Sequence, residues 1–264
     1  MTNIFTPGRK VIVGMLHLPP LPGSPRFRGS MKEIVRLARM DLRALIQGGV
    51  DAILIENFWD APYPVGTIPL ISVMAIAYLV GLLSREIRRP FGINLQFNQF
   101  RAEAALAAVS GADFIRVEGF VDNLLTDSGW SPGCAAWVTR CRARWGNTFQ
   151  IWADVHVKEA MVLGERSLVE AARAAASSLA DALIITGSRT GEETPLEAVQ
   201  AVKRTVALPV LIGSGLNANN AGQLLEAADG AIVGTALKRN GKVENPVDPD
   251  RVAAIVHIAR RLEG

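Results

Sequence analysis

Short β-branched runs alternate with helical patterns about eight times along this chain, at a steady pace and with no linker or low-complexity stretch between them. Strands separated by helices run parallel, and about eight such units in about 250 residues are what a closed parallel barrel requires. The chain has 264 residues, 49% of them hydrophobic, which is enough for one large core. The expected fold is a single α/β domain over 1–264, a (β/α)8 TIM barrel.

The first unit is VIVGMLHL followed by an amphipathic helix over 31–47 and Gly48-Gly49. DAILIEN precedes an apolar run over 68–83, stopped at Arg89-Pro90; FGINLQF precedes a helix over 101–109. DFIRVEG leads through a glycine-punctuated loop to a helix over 134–144, and QIWADVHVK to a helix over 167–178. ALIITG precedes a helix over 195–204, and a last helix covers 249–262. Between them lie a strand ending in Gly213-Ser214-Gly215 with a helix opening at Asn219, then a strand over 231–233 with Gly234-Thr235 opening another turn.

Those two strand ends read as a phosphate cup. Glycine lets backbone come close to a ligand, and helix openings offer N–H groups and a positive dipole end to a dianion. Barrels commonly bind phosphate after strands seven and eight, where Gly213, Ser214, Gly215, Gly234 and Thr235 fall. Each glycine taken singly is equally explained by turn geometry.

Period-two alternation assigns the faces of the strands. In QIWADVHVK, Ile151, Ala153, Val155 and Val157 should face the helices, and Trp152, Asp154, His156 and Lys158 the barrel axis. In DFIRVEG, Phe114, Arg116 and Glu118 fall inward; in FGINLQF, Asn94 and Gln96 do. His17 and Glu56, with Asn57, end their own strands, as Thr186 and Gly187 end ALIITG. Charged groups at the C-terminal ends of barrel strands stand where barrel enzymes keep their active sites. Arg116 could instead neutralise Glu118 or Asp154 in a buried structural network.

With phosphate in the cup, the reacting end of a small molecule would lie over strands one to five. Asp154 and Glu56 then form an acid/base pair tuned by burial and by Lys158 or Arg116. Lys158 could form a Schiff base, given a lowered pKa. Asn57, Asn94, Glu118, His156, Thr186 and Gly187 are candidate substrate contacts. His17, Glu56, Asp154 and His156 could hold a divalent metal, although no HxH or HExxH spacing supports one; no cofactor is expected. The loop after His17, Leu-Pro-Pro-Leu-Pro-Gly, is a lid, a plug or an interface arm, with Arg26 and Arg28 near it. Phe58 and Trp59 could stack on a planar group or cover a loop. His257 and the two cysteines, Cys134 and Cys141, read as structural.

A net charge of +3 from scattered arginines points to neither nucleic acid nor an anionic membrane as partner. The apolar run over 68–83 is short for a membrane span and is interrupted by Ser72, Tyr78 and Gly81. Apolar on nearly every face, it needs cover on both sides, which a homo-oligomer interface or neighbouring loops would supply. No convincing secretion signal is present, and two cysteines seven positions apart suit a reduced cytoplasm.

The chain resembles the BtpA/SgcQ family of barrel proteins. The resemblance is carried by VIVGMLHLPPLPGSPRFRG, GGVDAILIENFWDAPY, ADFIRV, ADVHVK, ITGSRTG, PVLIGSGLNANNA and DGAIVGTALK, and spans nearly the whole sequence. HLPPLPGSPR is specific to that family, whereas GSG and VGTALK are shared with many phosphate-binding barrels. The family takes its name from a member linked to photosystem I biogenesis; other members look like enzymes of sugar metabolism. The resemblance implies roles for His17, Glu56, Asn57, Asn94, Arg116, Asp154, Lys158 and the cup glycines. The chain departs from the family at Phe97-Asn98-Gln99 (Arg-Asn-Asp in many members), at Glu118 (Asn) and at Glu159 (His), which points to a different substrate. Similar barrels have been labelled phosphoribosylanthranilate isomerase, but the cysteine expected at the end of strand one is His17 here.

Overall fold

A computed structural model describes residues 3–146, 148–187 and 192–263. The strands in chain order are β1 (Val11–His17), β2 (Ala52–Glu56), β3 (Phe91–Asn94), β4 (Phe114–Val117), β5 (Leu124–Thr126), β6 (Gly129–Ser131), β7 (Gln150–Val155), β8 (Met161–Val162), β9 (Ala182–Ile185), β10 (Val210–Ile212) and β11 (Gly230–Val233). Eight close a parallel barrel in the order β1-β2-β3-β4-β7-β9-β10-β11, with β11 returning to β1 through the pair Gly14 and Val233. The helices are α1 (Met31–Gly48), α2 (Leu70–Leu83), α3 (Phe100–Ser110), α4 (Ala135–Arg144), α5 (Leu168–Ser177), α6 (Leu196–Lys203), α7 (Ala221–Ala227) and α8 (Pro249–Arg261), one after each barrel strand. The expected single barrel is the fold.

The helix ends follow local chemistry. Ser30 caps α1 by accepting from the Glu33 N–H, and Gly49 ends it at φ 90°. Ser167 and Glu170 form a reciprocal capping box on α5. α7 begins at Ala221 rather than Asn219, after a turn in which the Asn217 side chain accepts from the Asn219 N–H.

Alternation sorts the core into two parts. Ile53, Ile93, Ile115, Ile151, Ala153 and Val155 pack outward against the helices. Val11, Val13, Met15, Leu54, Phe114, Trp152, Ile184, Leu211 and Ile232 fill the barrel, with Ile4 and Phe5 below. Phe114 and Trp152 stack with centroids 3.6 Å apart, and a Cβ at Gly92 would lie 2.2 Å from the Phe114 ring. A side chain there would displace the ring that plugs the barrel.

Two expectations change. The alternation in QIWADVHVK stops at Val155, because His156 takes a left-handed φ of 52° and turns the chain. A small antiparallel sheet, ordered β6-β5-β8, stands over the loop ends of β4 and β7, where the sequence suggests only a loop. α2 is apolar throughout, as expected; Ala75, Ile76, Leu79, Val80 and Leu83 are buried, while Leu70, Ile71, Met74 and Tyr78 stay exposed. Among the described residues no helix is long and apolar enough to cross a membrane.

Candidate active site

Continuing each inward set one step toward the loop end gives a ring of eight residues: His17, Glu56, Asn94, Arg116, Asp154, Thr186, Gly213 and Gly234. Below it the barrel is apolar; at this level it is polar or bears no side chain at all. Gly213 and Gly234 are neighbours on the last two strands and leave the gap that becomes the cup.

The cup is a cavity of about 250 Å³ lined by 213–217 and 232–236, with His17, Glu56, Phe58, Arg116 and Lys158 on the far side. Thr235 opens a short 3-10 turn whose first bonds run from Leu237 N–H to Gly234 C=O and from Lys238 N–H to Thr235 C=O. The N–H groups of Thr235 and Ala236, two residues that line the cavity, precede those bonds and have no partner within the turn. Arg251, on α8, lines the same cavity; its Nε donates to the Ala236 carbonyl at 2.8 Å, which anchors the guanidinium there. Nothing in the sequence distinguishes Arg251 from the other surface arginines, since it reads as one more residue of an amphipathic helix.

Protein packing already explains several cup glycines. At φ 72°, a Cβ on Gly215 would lie 2.3 Å from the Glu192 carbonyl oxygen, and one on Gly187 would lie 2.7 Å from it. The Ser214 hydroxyl is likewise engaged, accepting from the Gly187 N–H at 2.7 Å and donating to the Glu192 carbonyl at 3.0 Å. Ser214 therefore holds the loop and contributes backbone, not its hydroxyl, to the cup. A Cβ on Gly234 would lie 3.0 Å from His17 Cε1, so this glycine keeps the space open above the imidazole.

Arg116 and Asp154 form a buried two-pronged pair, with Nε to Oδ1 at 2.9 Å and Nη2 to Oδ2 at 2.8 Å. Both Asp154 oxygens are thus engaged with Arg116, and the pair holds the guanidinium in a fixed orientation at the barrel mouth. Burial acts to lower the Arg116 pKa, but Asp154, Glu56 and Glu118 together hold it above the ordinary value.

Glu56 is the open carboxylate. Its Oε1 accepts from Gln96 Nε2 at 2.8 Å, whereas its Oε2 is buried without a hydrogen-bond partner among the described residues, 4.0 Å from Arg116 Nη1. Burial raises its pKa, with Arg116 and Lys158 pulling the other way. Lys158, half-buried, reaches the cup; burial and then Arg116 lower its pKa, as amine chemistry would need. Burial, with Lys238, Lys158 and Arg116 nearby, holds His17 well below its ordinary pKa; its imidazole stacks on Phe58 with centroids 4.2 Å apart.

The remaining candidates sort into supports and outliers. Asn57 Oδ1 accepts from the Gln96 N–H at 2.8 Å and braces the loop after β3, while Asn94 Nδ2 donates to Glu118 Oε1 at 2.8 Å and ties the end of β3 to the residue that follows β4. Thr186 accepts from the Lys158 N–H at 3.1 Å and fixes that lysine's backbone. Glu118 opens onto a second cavity, its pKa pushed up to about 7 by burial. His156 is not brought in: its N–H points to Asp122 Oδ2 at 3.4 Å, and it lines neither cavity. The possible metal set His17, Glu56, Asp154 and His156 therefore does not assemble, and among the described residues no three such side chains gather to hold an ion. Residues 188–191 of ITGSRTG lie outside the described residues.

The chain is similar to proteins of several organisms. An uncharacterized protein of Pyrococcus abyssi is 39% identical over 97% of this chain and 98% of its own length. The photosystem I biogenesis protein BtpA of Synechocystis is 38% identical over 93% of this chain and 86% of its own. Among solved structures, thiamine phosphate pyrophosphorylase from Pyrococcus furiosus superposes with a TM-score of 0.60 at 16% identity, covering 97% of this chain and 98% of that one, which is a likeness of fold. The model of the BtpA family matches residues 8–261. By that match and those identities, the chain belongs to the BtpA family.

Proposed function

We propose that this protein is an enzyme that binds a small phosphorylated, sugar-like metabolite and moves a proton on it, as an isomerase, epimerase or aldol-type lyase. The observation that carries this reading is Glu56, which lines the cup and whose buried Oε2 has no hydrogen-bond partner among the described residues and lies 4.0 Å from the Arg116 guanidinium. A carboxylate with a raised pKa and an unengaged oxygen is equipped to take a proton from carbon and return it. Arg116 and Lys158 flank it and would stabilise the negative charge that develops on a neighbouring oxygen. The Thr235 and Ala236 amides with Arg251 would hold the phosphate. Asp154, proposed from the sequence as half of an acid/base pair, becomes the residue that positions Arg116.

The fold supports a phosphorylated ligand, since it is shared with an enzyme named for thiamine phosphate. The free Cys134 and Cys141 suit a reduced, cytoplasmic setting. A thermal-shift screen against phosphorylated sugars tests the proposal: an organic phosphate should raise the melting temperature more than inorganic phosphate, and Thr235→Glu should remove the shift. No shift from any phosphate ester would overturn it.

A second reading is an assembly factor, as the name of the Synechocystis relative describes. It is favoured by the apolar stripe Leu70, Ile71, Met74 and Tyr78 on α2, beside the proline-rich arm that Ser72 Oγ grips at the Pro22 carbonyl, 2.7 Å away. That stripe equally suits a homo-oligomer contact. Light scattering of wild type and Met74→Glu distinguishes the two, because only a homo-oligomer loses mass on substitution.

A further inference from the structure

The cup is one half of a larger space. Its volume of about 250 Å³ falls below the roughly 300–1,000 Å³ usual for a small-molecule site. A second cavity, of about 390 Å³, opens from four of the same side chains, Glu56, Phe58, Arg116 and Lys158. It lies over the loop ends of β2 to β4 and is roofed by the turn at 126–128, between β5 and β6.

Its walls differ in kind from those of the cup. Phe58, Tyr63, Phe97, Pro62 and Val157 give it an apolar and aromatic side, while Gln96 and the carboxylates Glu118, Asp127 and Glu159 supply polar groups around it. The Tyr63 hydroxyl donates to the Phe58 carbonyl at 2.5 Å, so this residue offers its ring rather than its polar end. Phe58 is itself clamped, stacked on His17 and edge-on to Trp59 at 5.1 Å between centroids. Rings already fixed in place lose little freedom when another ring is laid against them.

We propose that the second cavity holds a planar ring carried by the phosphorylated substrate. The substrate class is then a phosphate monoester of a sugar that bears an aromatic or heteroaromatic ring, with phosphate in the cup and the ring among Phe58, Tyr63 and Phe97. The proposal rests on the reading of the cup as a phosphate site. Glu56, Arg116 and Lys158, shared by the two cavities, face the sugar that joins the ends. A bare sugar phosphate would leave apolar walls against water, at a cost in affinity that a ring recovers.

Isothermal titration with inorganic phosphate, ribose 5-phosphate, a set of ribonucleoside 5′-monophosphates and the matching nucleosides tests this. At least one monophosphate should bind about ten-fold or more tightly than ribose 5-phosphate, a difference that one ring contact can supply. Its nucleoside should bind more weakly than the monophosphate. Ser128→Trp, which adds bulk to the second cavity from an exposed position, should remove the gain and leave ribose 5-phosphate unaffected; Tyr63→Ala, which removes a wall, should reduce the gain. If ribose 5-phosphate binds and no monophosphate exceeds it, or if the gain survives both substitutions, the ring cavity is overturned while the cup stands. If no phosphate ester binds at all, the phosphate reading fails and this inference fails with it.

Discussion

Arg116 closes on Asp154 through two parallel hydrogen bonds of 2.9 and 2.8 Å, and this pair sits one step above the stacked Phe114 and Trp152 that plug the barrel. The same alternation that buries the two rings lifts the two charges into the mouth. Asp154 is engaged on both oxygens, whereas Glu56, which lines the cup, keeps one oxygen without a hydrogen bond among the described residues.

Asp154→Asn should therefore act through structure as well as activity. Removing one partner of a buried charge pair leaves the other uncompensated, at about 3–5 kcal/mol. Urea unfolding should show that loss, and activity should fall because Arg116 loses its orientation. A variant as stable as wild type would remove the pair from the account.

The pH dependence that the buried glutamates give to stability has a definite sign. Burial raises Glu118 to about 7 from an ordinary 4.5, and burial also raises Glu56 and Glu103. Between their unfolded and folded values these three glutamates bind more protons in the native state, so the stability they contribute is fullest below pH about 4.5 and falls as pH rises through neutrality, whereas His17, held below its ordinary pKa, contributes in the opposite sense. For Glu118 the loss is bounded by roughly 3 kcal/mol. Unfolding free energies of wild type and Glu118→Gln measured from pH 4.5 to 8 should diverge, wild type losing stability relative to the variant as pH rises; parallel curves would remove Glu118 from this account.

Arg251→Ala should weaken organic phosphates by about 10- to 100-fold, the effect of removing one charge-assisted contact. Folding should be nearly unchanged, because the arginine is exposed. Titration with the best phosphate ester from the thermal screen reads this directly, and unchanged affinity would take Arg251 out of the site.

Two glycines should answer alanine in opposite senses. Gly215→Ala puts a methyl against the Glu192 carbonyl at positive φ and should cost roughly 2–4 kcal/mol. Gly222, on α7, has nothing within 4 Å of a built Cβ, so Gly222→Ala should gain about 0.4–1 kcal/mol. Denaturant midpoints of the two variants test whether the Gly-Ser-Gly turn is held by protein packing.

Much of this architecture is legible in the residues because one rule, inward alternation toward a polar top layer, governs every barrel strand. It places His17, Glu56, Arg116 and Asp154 correctly. It fails where the strand itself ends: His156 reads as inward only if β7 continues, and its left-handed backbone is invisible in the pattern. The sheet of β5, β6 and β8 has two- and three-residue strands, too short for alternation to register. Pairing is legible only as an alternative: the sequence allows Arg116 to neutralise Asp154 in a buried network, as the structure has it, but the spacing alone does not choose that over a ligand.

The most direct test of the central claim is proton exchange in heavy water, followed by NMR, with the phosphorylated aldoses and ketoses that shift the melting temperature. Wild type should replace a carbon-bound proton of at least one of them with deuterium. Glu56→Gln should bind the same compound and lose at least about 100-fold of that exchange rate, the scale of one acid/base group. Exchange that persists in Glu56→Gln, or its absence for every compound that binds wild type, would contradict the account.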